Sequence, residues 1–174
     1  MRKFAPYLFI ATLLATLLVF VPGVGLHANG ATRWINLGFT TVQPAEFLKI
    51  GFILALAWWL APRARQLPNY RQGLLPFIGI LALPTALLLA QPNTSTAMLI
   101  IVTGAVMYFA AGAPWRDFGI LSLCALIGFG AIVLIRPYVL ERVQTFLDPS
   151  ANSLSSGYQI QQSLIAIGSG GLMG

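Results

Sequence analysis

Long apolar runs constrain this 174-residue chain more than any other feature. Each run approaches or exceeds the roughly 20 residues that a helix needs to cross the hydrocarbon core of a bilayer. Only 8% of the residues are charged, whereas a soluble domain carries about 25%. So few charges cannot cover the surface of such a chain in water. The sequence therefore predicts an all-α, polytopic helical membrane protein, forming a single membrane domain over residues 1–174. Its five predicted transmembrane helices cover residues 4–26, 45–62, 74–90, 96–113 and 117–135.

The positions of the basic residues predict the orientation of these spans. Arg63, Arg65 and Arg71 crowd one short loop, and short loops rich in Lys and Arg remain on the cytoplasmic side of a membrane. Counting the spans in both directions places the N-terminus in the cytoplasm and residues 27–44 and 136–174 outside. The net charge of +6 does not indicate nucleic-acid binding, because the basic residues are scattered along the chain.

Cysteine and histidine chemistry is not expected. Cys124 and His27 are the single residues of their kinds. One cysteine cannot form an internal disulfide, and neither residue type can supply a metal cluster. The sequence predicts no metal site and no cofactor, and it leaves dependence on a divalent cation open.

The segment GATRWINLGFTTVQPAEFLKI, residues 30–50, brings charged side chains to an apolar region. Pro44 suits the first turn of a helix, which makes Gln43 the N-cap and places Glu46 at the positive helix end. Lys49 follows three residues later on the same face. A purely structural interpretation is that Glu46 caps the helix while Lys49 pairs with it or extends to the lipid headgroups.

A functional interpretation adds the residues that precede this helix. Arg33 offers a planar fork of donors that fits phosphate, and Trp34 an amphipathic ring at headgroup level. With Gln43, they would suit a pyrophosphate-bearing lipid at the outer leaflet. We expect Arg33, Glu46 and Lys49 to converge on one anionic headgroup there.

A second polar segment, QPNTSTA at residues 91–97, separates two apolar runs. Pro92 ends one helix, and Asn93 or a hydroxyl residue after it can cap the next. A capped hairpin explains these residues structurally, whereas the functional alternative places Asn93 in the same outer cavity.

The polar tail over residues 136–174 predicts an extracytoplasmic loop with short helices. RPYVLERVQTFL favours a short surface helix that ends at an Asp-Pro pair, and LDPSANSLSSG is typical of a loop. GYQIQQSLIAIGSGG predicts an interfacial or re-entrant helix, because its apolar stripe is too short to span.

Several of these stretches resemble the SEDS family, the polytopic proteins of shape, elongation, division and sporulation. They are NGATRWINLG…QPAEFLK, QPNTSTA, ERVQTFLDP and GYQIQQSLIAIGSGGL, and they occur in the family's order over almost the whole chain. AGAPWRDF and QSLIAIGSGG are more similar to the RodA branch than to the FtsW branch. The polar positions that match the family are Arg33, Trp34, Gln43, Glu46 and Lys49.

The resemblance implies a peptidoglycan glycosyltransferase of the bacterial cytoplasmic (inner) membrane. Such an enzyme joins the disaccharide of lipid II to a growing glycan on the outer face, with undecaprenyl pyrophosphate as the leaving group. The product would serve cell elongation and cell shape, or division. The resemblance further implies a class B penicillin-binding protein as the partner that cross-links the glycan.

Two departures from the family pattern affect these expectations. The family usually has QPDLGTA where this chain has QPNTSTA, so Asn93 replaces a carboxylate. The resemblance also places the family's catalytic aspartate downstream of the IGSGGL stretch, beyond Gly174. We therefore expect no catalytic residue here, Asp148 of the LDP turn included, and expect a partial chain that is inactive alone.

Two other classes of protein remain open. A lipid II transporter or flippase would use the same outer polar cavity to bind lipid II without catalysing a reaction. No internal repeat of the kind found in many transporters favours it. A membrane scaffold of the cell-wall synthesis complex would use the polar face to bind a protein.

Overall fold

The computed structural model describes residues 4–28, 31–36, 38, 40–135, 139–140, 144–145 and 158–171. The described chain is mostly helical, with a small sheet between its first two helices. Two compact units are Met1–Phe118 and Gly119–Gly174. The helices are α1 (Ala5–Leu17), α2 (Pro44–Leu60), α3 (Leu74–Ala90), α4 (Thr94–Ala110), α5 (Trp115–Ile135) and α6 (Tyr158–Gly170). The strands are β1 (Gly25–Ala28), β2 (Ala31–Asn36) and β3 (Thr41–Val42).

The first predicted span is longer than the helix that forms. After α1, a single 3-10 turn covers Leu18–Phe20, and Val21 is extended. The residue before a proline is disfavoured in the α conformation, so Pro22 ends the helix at Val21. Gly23 then adopts a φ of +88°, which a glycine accepts without steric cost. The predicted span 4–26 is therefore wrong from residue 21 onward.

The outer segment forms a three-stranded antiparallel sheet in the order β1-β2-β3. Leu26 pairs with Trp34, and Ile35 pairs with Val42. β-branched and aromatic side chains in TRWIN and TTV favour strands, but strands of two to six residues show almost no periodicity. The all-α prediction missed this sheet for that reason.

Small residues let the helices of the first unit approach closely. A Cβ on Gly51 of α2 would lie 3.2 Å from the Phe9 Cα of α1, and closer still to the Thr12 hydroxyl. A Cβ on Gly104 of α4 would lie 3.1 Å from the Phe52 ring of α2. Glycines at such contacts are typical of helices packed in membranes. The fully buried apolar side chains around them include Leu48, Leu56, Phe77 and Leu88.

Among the described helices, α5 has the length and composition to cross a membrane, over Trp115–Leu134. Ala5–Phe20, α3 and α4 are apolar but shorter, with at most 17 residues each. At 1.5 Å per residue, 17 residues extend about 25 Å, somewhat less than the roughly 30 Å of a hydrocarbon core. The count of five transmembrane helices therefore stays a prediction.

The alternating direction of α2, α3 and α4 gives the first unit two ends. At one end, Arg33 of the sheet bonds to the turn that follows α3. At the other, Arg116 bonds to the loop between α2 and α3. We call the first the sheet end, which includes residues 91–93, and the second the loop end, which includes residues 61–73 and 111–117.

In the tail, residues 136–174, the described residues agree with the prediction from the sequence. Helix α6 confirms the short helix predicted in GYQIQQSLIAIGSGG. It continues to Gly170 and so includes Gly168 and Gly170. Residues 139–140 and 144–145 are helical, whereas the remainder of the predicted surface helix and the LDPSANSLSSG loop lie outside the described residues.

Candidate functional site

Arg33 joins the sheet to the turn between α3 and α4. Its Nε lies 3.4 Å from the Gln91 carbonyl oxygen, and its Nη2 donates to the Pro92 carbonyl. A guanidinium has five N–H donors, so these two bonds leave three for other acceptors. Arg33 is thus held in place while most of its donors remain available for an anion.

The turn beside Arg33 contains two buried amide side chains with unused hydrogen-bonding atoms. Gln91 is 2% exposed, and its Nε2 donates to the Thr16 carbonyl of α1 at 2.7 Å. Within the part of the chain that the structure describes, the Gln91 Oε1 and the Asn93 Nδ2 are buried without a protein partner. Leaving such an atom unsatisfied costs about 1–3 kcal/mol. Buried polar atoms of this kind normally bind a ligand or water.

Capping does not explain the Asn93 side chain. Asn93 occupies the N-cap position of α4, and its backbone oxygen accepts a bond from the Ala97 N–H at 3.1 Å. Its side chain makes no capping hydrogen bond. Asn93 therefore occupies the N-cap position that the structural interpretation expects, but capping leaves its buried side-chain amide unexplained.

Glu46 and Lys49 form the ion pair that the sequence predicts. Pro44 is the first residue of α2, and Gln43 is its N-cap residue without a side-chain capping bond. The Lys49 Nζ lies 2.7 Å from the Glu46 Oε2, and Glu46 is 56% exposed. The Lys49 side chain is 28% exposed, and a pair with an exposed carboxylate contributes little to stability. The ammonium can therefore exchange the carboxylate for an anionic ligand at low cost.

The predicted site residues divide into groups. Successive residues in a strand face opposite sides, and exposure alternates accordingly between half-buried Arg33 and exposed Trp34. Trp34 is thus on the face away from Arg33. Arg33 bonds to the 91–92 turn, while Glu46 and Lys49 bond to each other. Convergence of Arg33, Glu46 and Lys49 on one headgroup stays a prediction.

Gln91 and Thr16 were not predicted as part of the candidate site. The signal for Gln91 was an amide at the end of an apolar helix, directly before a proline. The Thr16 carbonyl could not be predicted from the sequence, because every residue has a backbone carbonyl. The Thr16 hydroxyl itself bonds within its own helix, to the Thr12 carbonyl. The bond between these two residues joins α1 to the candidate site.

A polar cluster at the loop end was not predicted either. The Asp117 carboxylate is completely buried and accepts bonds from the Tyr108 hydroxyl at 2.8 Å and the Arg116 Nε at 3.1 Å. The Arg116 Nη2 donates to the Pro68 carbonyl at 2.6 Å. From the sequence, Asp117 was only an acid beside an arginine at a helix start.

The described ranges contain no group of three or more His, Cys, Asp or Glu side chains that could hold a metal ion. Glu46 and Asp117, the carboxylates that the structure describes, each lie against a basic side chain. The expectation that no cofactor is needed stays a prediction.

Closely packed apolar helices with polar groups gathered at their two ends are typical of helical membrane proteins. Comparison with known proteins gives the family. The chain belongs to the FtsW/RodA/SpoVE family of cell cycle proteins, whose family model matches residues 1–174. This confirms the SEDS resemblance.

Several curated relatives match nearly the whole chain, among them the following two. Stage V sporulation protein E of Bacillus subtilis (strain 168) is 37% identical over 173 residues, which are 99% of this chain and 47% of the relative. A probable peptidoglycan glycosyltransferase FtsW of Geobacter sp. (strain M18) is 38% identical over 173 residues, with the same coverage. The chain spans about half the length of these curated relatives.

Two solved structures are similar as well. A chain from a peptidoglycan synthase complex that coordinates polymerization and crosslinking superposes with a TM-score of 0.72 at 38% identity. The match covers 98% of this chain and 50% of that one. The rod shape determining protein RodA of Thermus thermophilus gives a TM-score of 0.52 at 34% identity, over 72% of this chain and 41% of that one. Since FtsW, SpoVE and RodA all occur among these matches, membership of the RodA branch stays a prediction.

Proposed function

We propose that this chain forms part of a peptidoglycan glycosyltransferase that polymerises lipid II at the outer face of the bacterial inner membrane. One observation carries the proposal: two buried, unpaired amide atoms lie in the turn to which Arg33 is bonded. The relative that is named a probable peptidoglycan glycosyltransferase supports this class of reaction.

The hydrogen-bonding groups of the sheet end suit the head of lipid II. The Gln91 Oε1 is an acceptor and the Asn93 Nδ2 a donor, and a sugar hydroxyl or acetamido group offers the complement of both. The unused donors of Arg33 fit a phosphate oxygen. One end of the helices can thus bind both parts of a sugar diphosphate.

Arg33 and Lys49 would act through their charge in the reaction. Negative charge builds on the pyrophosphate as the glycosidic bond to the donor sugar breaks, and fixed cations lower the energy of that state. Glu46 would position Lys49, and Gln43 and Trp34 would border the site at the outer surface. None of the described residues is proposed as the general base.

The proposal includes five membrane-spanning helices, α1 to α5, with the N-terminus in the cytoplasm. Residues 27–44 and 136–174 are then extracytoplasmic. Two contacts support this arrangement: Arg33 with the turn after α3, and Arg116 with the loop after α2. Each contact joins two segments that lie on the same side of the membrane if successive spans alternate in direction. The shorter helices would be accommodated by local thinning of the bilayer.

A class B penicillin-binding protein is the proposed partner. The similar chain from a synthase complex that coordinates polymerization and crosslinking supports an assembly of this kind. We place the activity in cell elongation and cell shape or in division, with the RodA-like branch preferred.

The test is lipid II polymerisation by the full-length protein carrying Arg33→Ala or Lys49→Ala. Removing one preorganised donor to a developing negative charge typically lowers kcat by about 100-fold or more. Gln66→Ala, at an exposed position of the loop end, is the control and should retain wild-type synthesis. Undiminished glycan synthesis by both variants would remove these residues from the mechanism.

Two further measurements separate the alternatives. Translocation of lipid II across reconstituted vesicles without polymer formation would favour a transporter. Loss of partner binding by Trp34→Ala, with lipid II binding intact, would favour a scaffold.

A further inference from the structure

The loop end gathers arginines from two distant parts of the sequence. The loop at 61–73 contributes Arg63, Arg65 and Arg71, and the turn before α5 contributes Arg116. The bond from the Arg116 Nη2 to the Pro68 carbonyl, 2.6 Å long, holds the two parts together. Residues 61–73 and 115–117 contain four arginines and one acid, Asp117, which gives a net charge of +3. Because Asp117 is completely buried, the surface itself is basic.

This loop is a compact scaffold for its arginines. Backbone bonds follow one another along it, from the Gln66 N–H to the Arg63 carbonyl at 2.8 Å and from the Gly73 N–H to the Asn69 carbonyl at 2.7 Å. The Leu67 side chain is completely buried and anchors the middle of the loop. The arginine side chains therefore project from a fixed backbone, which lowers the entropic cost of binding.

Aromatic residues accompany the arginines at the loop end. The Arg63 guanidinium lies 5.3 Å from the centre of the Trp59 ring and donates from its Nη1 to the Trp59 carbonyl at 3.0 Å. Trp58 and Tyr70 are exposed nearby in the sequence, and Trp115 is 84% exposed. Three of the four tryptophans of the chain thus occur at this end. Trp and Tyr are enriched where a membrane meets water.

We propose that the loop end binds the headgroup phosphates of anionic phospholipids in the cytoplasmic leaflet. The long apolar segment of α5 begins at Trp115, so Arg116 follows at the depth where hydrocarbon gives way to headgroups. A guanidinium fork fits a phosphate. Exposed Trp rings beside it fit the acyl boundary, whereas an acidic soluble protein would leave them in water. The basic charge of the loop end and its exposed tryptophan rings together favour a lipid over an acidic soluble protein as the ligand.

This site is separate from the proposed lipid II site. Helix α2 runs from Pro44 near the sheet end to Leu60 at the loop end, and its 17 residues extend about 25 Å. The inference rests on the membrane placement proposed above, but it does not depend on glycosyl transfer. A phospholipid readout therefore tests it independently of enzymatic activity.

The experiment uses vesicles in which either phosphatidylglycerol or phosphatidylcholine carries brominated acyl chains that quench tryptophan. A Trp34→Phe background restricts the emission to the three loop-end tryptophans. Arg65→Gln/Arg71→Gln removes two exposed charges, and Gln66→Ala/Gln72→Ala alters the same loop without changing its charge. Circular dichroism checks that all variants remain helical.

We expect brominated phosphatidylglycerol to be preferred about fivefold over brominated phosphatidylcholine, which corresponds to roughly 1 kcal/mol for one basic contact. The ratio of quenching by the two lipids should fall towards one in Arg65→Gln/Arg71→Gln and persist in Gln66→Ala/Gln72→Ala. In the parent it should decrease as the salt concentration rises. No preference in the parent, or an equal preference in the arginine variant, would overturn the proposal. Displacement by millimolar inorganic phosphate would show a general anion site, and this too would refute a lipid-specific one.

Discussion

The buried bond between Tyr108 and Asp117 gives the sharpest prediction about stability. Asp117→Ala removes a charge-assisted acceptor from the Tyr108 hydroxyl, which is completely buried and 2.8 Å away. Hydrogen bonds to charged groups contribute about 1.5–3 kcal/mol. The Arg116 side chain is 55% exposed, so loss of that ion pair adds only about 0–1 kcal/mol. The variant should therefore lose about 1.5–4 kcal/mol of unfolding free energy.

Two milder variants divide this loss into its parts. Asp117→Asn keeps an oxygen for the tyrosine hydroxyl and removes the charge, so it should cost less than Asp117→Ala. Tyr108→Phe keeps the ring, which stacks on Phe77 at 4.3 Å between ring centres, and loses the hydroxyl alone. It should cost about 1.5–3 kcal/mol. Tyr70→Phe, at an exposed position in the same end of the molecule, is the matched control and should change stability little.

The assay is unfolding of the purified chain in mixed micelles by added dodecyl sulfate, followed by tryptophan fluorescence. A double-mutant cycle of Tyr108→Phe with Asp117→Ala isolates the pair. We expect a coupling of about 1.5–3 kcal/mol, because each single change already breaks the same bond. A coupling near zero, with both single variants destabilised, would refute the assignment of this bond as the anchor of the loop end.

Three further predictions concern the helix contact and the site. Gly51→Val should destabilise the chain by about 1–3 kcal/mol through overpacking against the Thr12 hydroxyl, and Thr12→Ala should relieve part of that loss in the same unfolding assay. Asn93→Leu should leave the unfolding free energy unchanged or raise it, because a buried unpaired donor is removed, while lipid II binding falls; reduced stability would contradict this. Glu46→Gln should change stability by less than about 1 kcal/mol and reduce glycan synthesis less than Lys49→Ala, measured side by side in the full-length protein.

The helices and the local ion pair could be read from the sequence because their causes are local. The predicted span 74–90 coincides with α3, Leu74–Ala90, since an apolar run is bounded by Gly73 and a Gln-Pro pair. The Glu46–Lys49 pair follows from spacing along one helix. Such features need no knowledge of distant residues.

The contacts that define the site are not local, and the sequence gives no sign of them. Arg33 meets a carbonyl 58 residues away, and Gln91 meets one 75 residues away. Both acceptors are backbone oxygens, which every residue has, so no side-chain pattern marks them. The strands were missed for a different reason: they are too short to show a periodicity, although their pairing is local. The burial of Asp117 was missed because a single acid at a helix start gives no indication of its depth.

The two polar ends differ in how completely their hydrogen bonds are satisfied, and this difference indicates their roles. At the loop end the buried carboxylate of Asp117 has both oxygens bonded, to Tyr108 and Arg116. A network with its acceptors filled stabilises the structure and offers nothing further to a buried ligand. At the sheet end, two amide atoms are buried and unpaired among the described residues. A folded chain retains such a cost where a ligand repays it. This difference supports the proposed ligand site at the sheet end, and it agrees with the proposed role of the exposed arginines of the loop end at the membrane surface.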